Sequence, residues 1–109
     1  MRKIMKSERR VEGECKKYLL KYELVSNVFP EEEGEGIYYG IIVEQFIWSK
    51  EKKSWILEDS EQIKGFSESL KESMLFFEKV VKGNTMPVSL GAIVDDWKCA
   101  FYPNNEESA

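Results

Sequence analysis

Two adjacent carboxylates, Asp95 and Asp96, are the nearest thing to a catalytic constellation in this 109-residue sequence. Paired acids can split their pKa values for proton transfer or share a divalent cation. Neighbouring positions on a helix point about 100° apart, however, so these two do not converge on one ion. A solvated helix edge is the simpler reading, and Glu44 with a tyrosine offers no better motif. The sequence has no histidine, which removes the commonest general base, the usual imidazole metal ligand and every Ser–His or Cys–His nucleophile.

The remaining reactive residues add little. Glu31, Glu32, Glu33 and Glu35 could loosely attract calcium, but they lack the alternating ligands and terminal glutamate of an EF-hand loop. Gly34-Glu35-Gly36 is too short to cradle a phosphate, and no Lys-Ser or Lys-Thr follows it. Cys15 and Cys99 are the only cysteines, and two isolated thiols make neither a disulfide framework nor a zinc site. Both are expected to be reduced, with at least one buried as a small hydrophobe. Cys99 falls near a helix carboxyl end, whose partial negative charge raises a thiol pKa and disfavours a nucleophilic role. The expectation is a protein with no catalytic residues, no cofactor and no metal site, and not an enzyme.

The elements that would position these residues read as strands first and helices second. Tyr18, Leu20, Tyr22 and Leu24 alternate with Leu19, Lys21, Glu23 and Val25, a period-2 strand pattern. Phe29-Pro30 and the acidic, glycine-punctuated stretch to Gly36 read as a breaker and loop. A second strand follows at Ile37–Trp48, a polar turn at Ser49–Lys53, and a third strand at Trp55–Glu58. Residues 59–66 could add a short fourth through Ile63. Ser69 with Glu72 fits a capping box, with Ser67 as competitor. Leu70, Met74, Phe77 and Val81 then form a helical stripe, closed by Gly83-Asn84 with glycine in a left-handed cap. Pro87 opens a second helix with a stripe of Leu90, Ile93, Val94 and Trp97. This order predicts an α+β fold: a three- or four-stranded antiparallel meander followed by two carboxyl-terminal helices packed on one sheet face.

A chain of this length makes one domain. The net charge of −4 hides an asymmetry: residues 1–10 carry +4 through Arg2, Lys3, Lys6, Arg9 and Arg10 against Glu8, leaving −8 for the rest. The sequence therefore divides into a basic flexible arm at 1–10, a domain at 11–102 and an acidic tail at 103–109. The acidic body repels nucleic-acid phosphates and anionic membranes, so only the arm could act as a nucleic-acid clamp. The amino terminus lacks the apolar run of a secretion signal, and no stretch reaches membrane-spanning length. A cytoplasmic setting is expected.

Tyr22-Glu23-Leu24, Tyr39-Gly40-Ile41, a Ser-led helix, Met86-Pro87-Val88-Ser89-Leu90 and Val94-Asp95-Asp96-Trp97 occur in that order. This sequence of motifs resembles an uncharacterised family of short proteins from clostridial-type bacteria, over residues 18–98. The resemblance implies a fold and a bacterial cytoplasmic setting, with no activity and no catalytic residues to carry over. Where such relatives often place a histidine after the helix-opening Pro-Val, this chain has Ser89.

The strongest functional signal is surplus apolar surface. In the second strand Ile37, Tyr39, Ile41, Val43 and Ile47 point one way, while Tyr38, Ile42, Phe46 and Trp48 point the other. A sheet with helices on one side needs only one apolar face. Leu75 and Phe76 lie about 140° and 120° from Leu70 on the first helix, off its stripe. Either an aromatic cluster with Trp55 or Ile56, lysine stems or the arm cover these side chains internally, or they form a protein–protein surface. The second reading makes the chain a non-enzymatic interaction or regulatory module. Its partner would be a second copy (a homodimer) or another protein, met through Tyr38, Ile42, Phe46, Trp48, Leu75 and Phe76. The alternative is a nucleic-acid-associated factor working through the basic arm.

Overall fold

Four strands fill the first two-thirds of the chain, and two helices complete it. The computed structural model describes residues 1–31 and 34–101, with side chains described through Trp97. The elements are β1 (Arg2–Glu12), β2 (Lys17–Glu31), β3 (Gly34–Ser49), β4 (Ser54–Ser67), α1 (Leu70–Lys82) and α2 (Pro87–Phe101). The strands form an open antiparallel sheet in the order β1-β2-β3-β4. The α+β meander with two trailing helices is therefore present, but its four strands are counted differently from the sequence reading.

The segment expected to be a flexible arm is strand β1, paired with β2 from Arg2↔Ser26 to Glu12↔Lys17. An edge strand needs only its neighbour's backbone for a ladder, so a charged segment with few apolar residues can still be held in place. The third and fourth strands expected from sequence are one strand, β4, bent by register shifts opposite Tyr39/Ile41 and Gln45/Phe46. The acidic loop is also shorter than expected. Glu31 pairs with Gly34, and Gly34 takes φ 123°, a conformation that favours glycine. Glu32 and Glu33 lie outside the described residues, as does the 103–109 tail.

Cross-strand pairing fixes which side chains share a face. Leu20, Tyr22 and Leu24 of β2 line up with Gln45, Val43 and Ile41 of β3, and this face meets both helices. The buried cluster joins Leu20, Tyr22, Leu24, Ile41, Val43 and Phe66 to Phe76, Phe77 and Val80 of α1 and Leu90, Val94 and Trp97 of α2. Gln45 is admitted because its Nε2 donates to Glu58 Oε1 at 2.5 Å, Glu58 being the extra residue of a β4 bulge. At the other bulge the β4 backbone crowds β3, so that a Cβ on Gly40 would collide with the Ile63 and Lys64 carbonyl oxygens.

The helices follow the sequence in part. Ser69 caps α1, its hydroxyl accepting from the Glu72 N–H at 3.2 Å, and α2 begins at Pro87 with Leu90, Val94 and Trp97 buried. The face of α1 differs from the predicted stripe. Ser73, Phe76, Phe77 and Val80 are buried, whereas Leu70 and Met74 are 42% and 36% exposed, a rotation of about 80° at 100° per residue. Ser73 is tolerated inside because its hydroxyl donates to the Ser69 carbonyl at 2.6 Å, which frees the helix to bury two phenyl rings. At the end of α1 Gly83 has φ −82°, and Asn84 takes the left-handed φ of 50° instead. Asparagine tolerates this region, and the Asn84 Oδ1 accepts from Arg9 Nε at 2.9 Å.

Candidate interaction surface

The strands are longer than the helices that lie on them. At about 3.3 Å per residue a 15-residue strand runs about 50 Å, against about 20 Å for either helix, and the molecule measures 55 × 32 × 19 Å. The opposite face of the sheet receives neither helix's buried stripe. Its composition follows level by level from the pairing: Trp55, Trp48 and Lys17; then Leu57, Phe46, Leu19 and Arg10; then Ser60, Glu44, Lys21 and Glu8; then Gln62, Ile42, Glu23 and Lys6. Aromatic and aliphatic groups thus gather on β3 and β4 at the end near the β3–β4 turn. Cations gather beside them on β1 and β2.

Trp48 and Trp55 meet edge to face, ring centroids 5.3 Å apart, and both are half-buried. Phe46 is half-buried, with the Lys21 ammonium 5.0 Å from its ring centre, and Leu57 beside it is 50% exposed. Ion pairs cross the polar middle: Lys3 Nζ to Glu23 at 3.4 Å and Lys21 Nζ to Glu8 at 3.9 Å. Leu19 and Val25 are buried on this face, 7% and 0% exposed. Their β1 neighbours, Arg10 and Lys3, have long aliphatic stems of the kind that cover apolar surface. Internal cover therefore accounts for part of the surplus on this face, where Trp48, Trp55, Phe46 and Leu57 stay partly open, while the paired Val28 and Ile37 on the other face are 57% and 55% exposed.

A smaller aromatic site sits at the other end. Phe29 and Tyr38 pack edge to face at 5.3 Å, beside a cavity of about 300 Å³ lined with Pro30, Glu31 and Gly65. The Tyr38 phenol is pushed up from its ordinary pKa, first by its hydrogen bond to Glu68, then by desolvation and by the charges of Glu31 and Glu68. On the helix side Tyr22 donates to the Thr85 carbonyl at 2.8 Å. Burial lifts its phenol to about 12, partly opposed by Arg9.

Of the six residues expected to form the surface, Tyr38, Ile42, Phe46 and Trp48 lie half-buried on the bare face. Leu75 is 50% exposed on α1, on the other side of the sheet, so it belongs to no common patch with them. Phe76 is a correction: it is wholly buried, packed on Phe66 at 4.9 Å and Trp97 at 5.0 Å between centroids. Lying away from Leu70 on the helix did not bring Phe76 to the surface, because the buried stripe of α1 is rotated toward it. Sequence reasoning gave Trp55 only as internal cover and missed Leu57. The available signal was symmetry, since Trp48 and Trp55 stand equally far from the centre of the Lys50–Lys53 turn.

The other candidate residues are dispersed. Asp95 and Asp96 are exposed on α2, and Glu44 is on the opposite sheet face. Among the described residues no group of three or more acids or cysteines could hold a metal. Cys15 is free and exposed in the β1–β2 turn, and the Cys99 side chain lies outside the described set. Arg2, Lys3, Lys6, Arg9 and Arg10 all belong to β1, with Lys3 and Arg9 bonded to Glu23 and Asn84, so they do not form a free clamp. No described helix is long and apolar enough to cross a membrane.

No curated protein matches this sequence, and no solved structure matches it either. A family model does match residues 1–100, taking in the first strand that the motif resemblance had left out. The chain belongs to the family described as "Family of unknown function (DUF6514)".

Proposed function

We propose that this chain is a non-enzymatic protein-interaction module that pairs with a second copy of itself through the bare sheet face. The observation that carries the reading is the distribution of cover. Both helices bury their stripes on one face, while Trp48, Trp55, Phe46 and Leu57 stay partly open on the other. Tryptophan and phenylalanine are enriched at the centres of interfaces.

The split of that face argues for a twofold arrangement. Rotation about an axis parallel to the strands lays the aromatic β3–β4 half of one copy over the Lys17, Lys21 and Arg10 half of the other. Within one subunit Lys21 already makes this kind of contact with Phe46. Light scattering on size-exclusion fractions at high micromolar concentration and high salt is the test. The expected mass is two copies for the native sequence and one for Trp48→Ala combined with Phe46→Glu. A native mass of one copy throughout the concentration range would remove the self-pairing reading.

A further inference from the structure

The open sheet has two free edges, and their charges are opposite. Strand β1 carries Arg2, Lys3, Lys6, Arg9 and Arg10 against Glu8 and Glu12, a net +3. Strand β4 carries Glu58, Asp59 and Glu61 against Lys64, a net −2. Residues 57–62 of β4 are all exposed, as is most of β1. Exposed edges of this length are templates for strand addition unless something blocks them.

Because the meander has an even number of strands, β1 and β4 run in opposite directions. A second copy placed beside the first in the same orientation would therefore set its β1 antiparallel to the first copy's β4, with both helix pairs on one face. The levels of the sheet make this joint specific. On the helix side, Val11, Arg9, Ser7 and Met5 of β1 stand level with Ile56, Asp59, Glu61 and Ile63 of β4, through the continuous pairing of β2 and β3. Carrying those levels into the next copy brings Val11 to Ile56, Arg9 to Asp59, Ser7 to Glu61 and Met5 to Ile63, with no like charges opposed among these four pairs. Two β4 edges paired about Ser60 would instead set Asp59 against Glu61.

The β4 edge is also occupied in a way that strand addition would reverse. The Ser60 N–H donates to the Asp59 carboxylate at 2.9 Å, and the Gln62 N–H to the Glu61 carboxylate at 3.1 Å. These acids hold backbone donors that an incoming strand would take through its carbonyls, which would release the carboxylates toward Arg9. We infer that β1 of one copy adds to β4 of the next, extending the sheet head to tail in a salt-sensitive, open-ended assembly. This joint is independent of the bare-face pairing, which uses other residues and two copies only.

Sedimentation velocity of the full chain at about 50 mM and about 500 mM salt reads the joint. The expected result is a mass that climbs past two copies with concentration at low salt and falls back at high salt. Asp59→Lys with Glu61→Lys abolishes the climb, as does Lys6→Glu with Arg9→Glu, and mixing the two variants restores it. Ser60→Pro keeps every charge but removes an edge N–H, and it stops growth if backbone pairing is the joint. Native protein whose mass never exceeds two copies at low salt overturns the inference, as does growth that survives the β4 reversal or Ser60→Pro. Trp48→Ala with Phe46→Glu leaves the low-salt climb in place, which separates failure of this joint from failure of the bare-face pairing.

Discussion

The same strands present two faces that are organised on different principles. Toward the helices, Leu20, Tyr22, Leu24, Ile41 and Val43 are all 0% exposed and locked against three aromatic rings. Away from them, Ile42, Phe46 and Trp48 are only half-buried, interleaved with lysines and glutamates that form long ion pairs. A strand residue's neighbour one position on can therefore belong to a core or to a surface, and period-2 alternation does not say which. The difference lies in which face the helices reach.

The largest test of that difference is truncation on each side. Phe76→Ala is expected to cost about 3–5 kcal/mol, the usual range for a buried phenylalanine. Phe46→Ala, read under monomeric conditions, is expected to cost well under half as much. Equal losses by chemical denaturation would break the contrast. Next in size is a titration of the covered face. The Tyr22 phenol has its pKa raised from 10.0 to about 12 by burial, so the folded state holds its proton more tightly than the unfolded chain. The stability is intact below pH 10 and falls as pH rises toward about 12, with a slope of about 1.4 kcal/mol per pH unit. Tyr22→Phe should flatten that part of the profile, and an unchanged slope would assign it to another group. The smallest effect belongs to the bare face. Lys21→Met removes the cation over Phe46 and the 3.9 Å pair with Glu8, and its expected cost is about 1 kcal/mol or less.

Much of the fold was legible where a short-range rule applied. Ser69 capped its helix and Pro87 opened the next as expected, and the Leu90–Val94–Trp97 stripe is buried, because caps and a single apolar stripe are short-range properties. The face of α1 was not legible. Leu70, Met74, Leu75, Phe76, Phe77 and Val80 wrap most of the helix, so periodicity allowed several faces, and the choice was made by Phe66 and Trp97 packing on Phe76. Strand β1 escaped for a different reason. Its ladder partner, β2, supplies the order, and nothing in the composition of Arg2–Arg10 reports that. Phe46 and Trp48 were legible as apolar side chains on the bare face, while Leu57 joins them only through pairing across the β3–β4 turn.

The bond from the Tyr22 hydroxyl to the Thr85 carbonyl joins residues 63 positions apart. The turns between strands close within a few residues, so hairpins can zip early, whereas this clasp must wait until the link between the helices has been synthesised. Until then the growing chain exposes the oily side of a half-finished sheet to the crowded surroundings of the ribosome. The timing of helix arrival, more than the strength of the strand pairing, sets how long that hazard lasts.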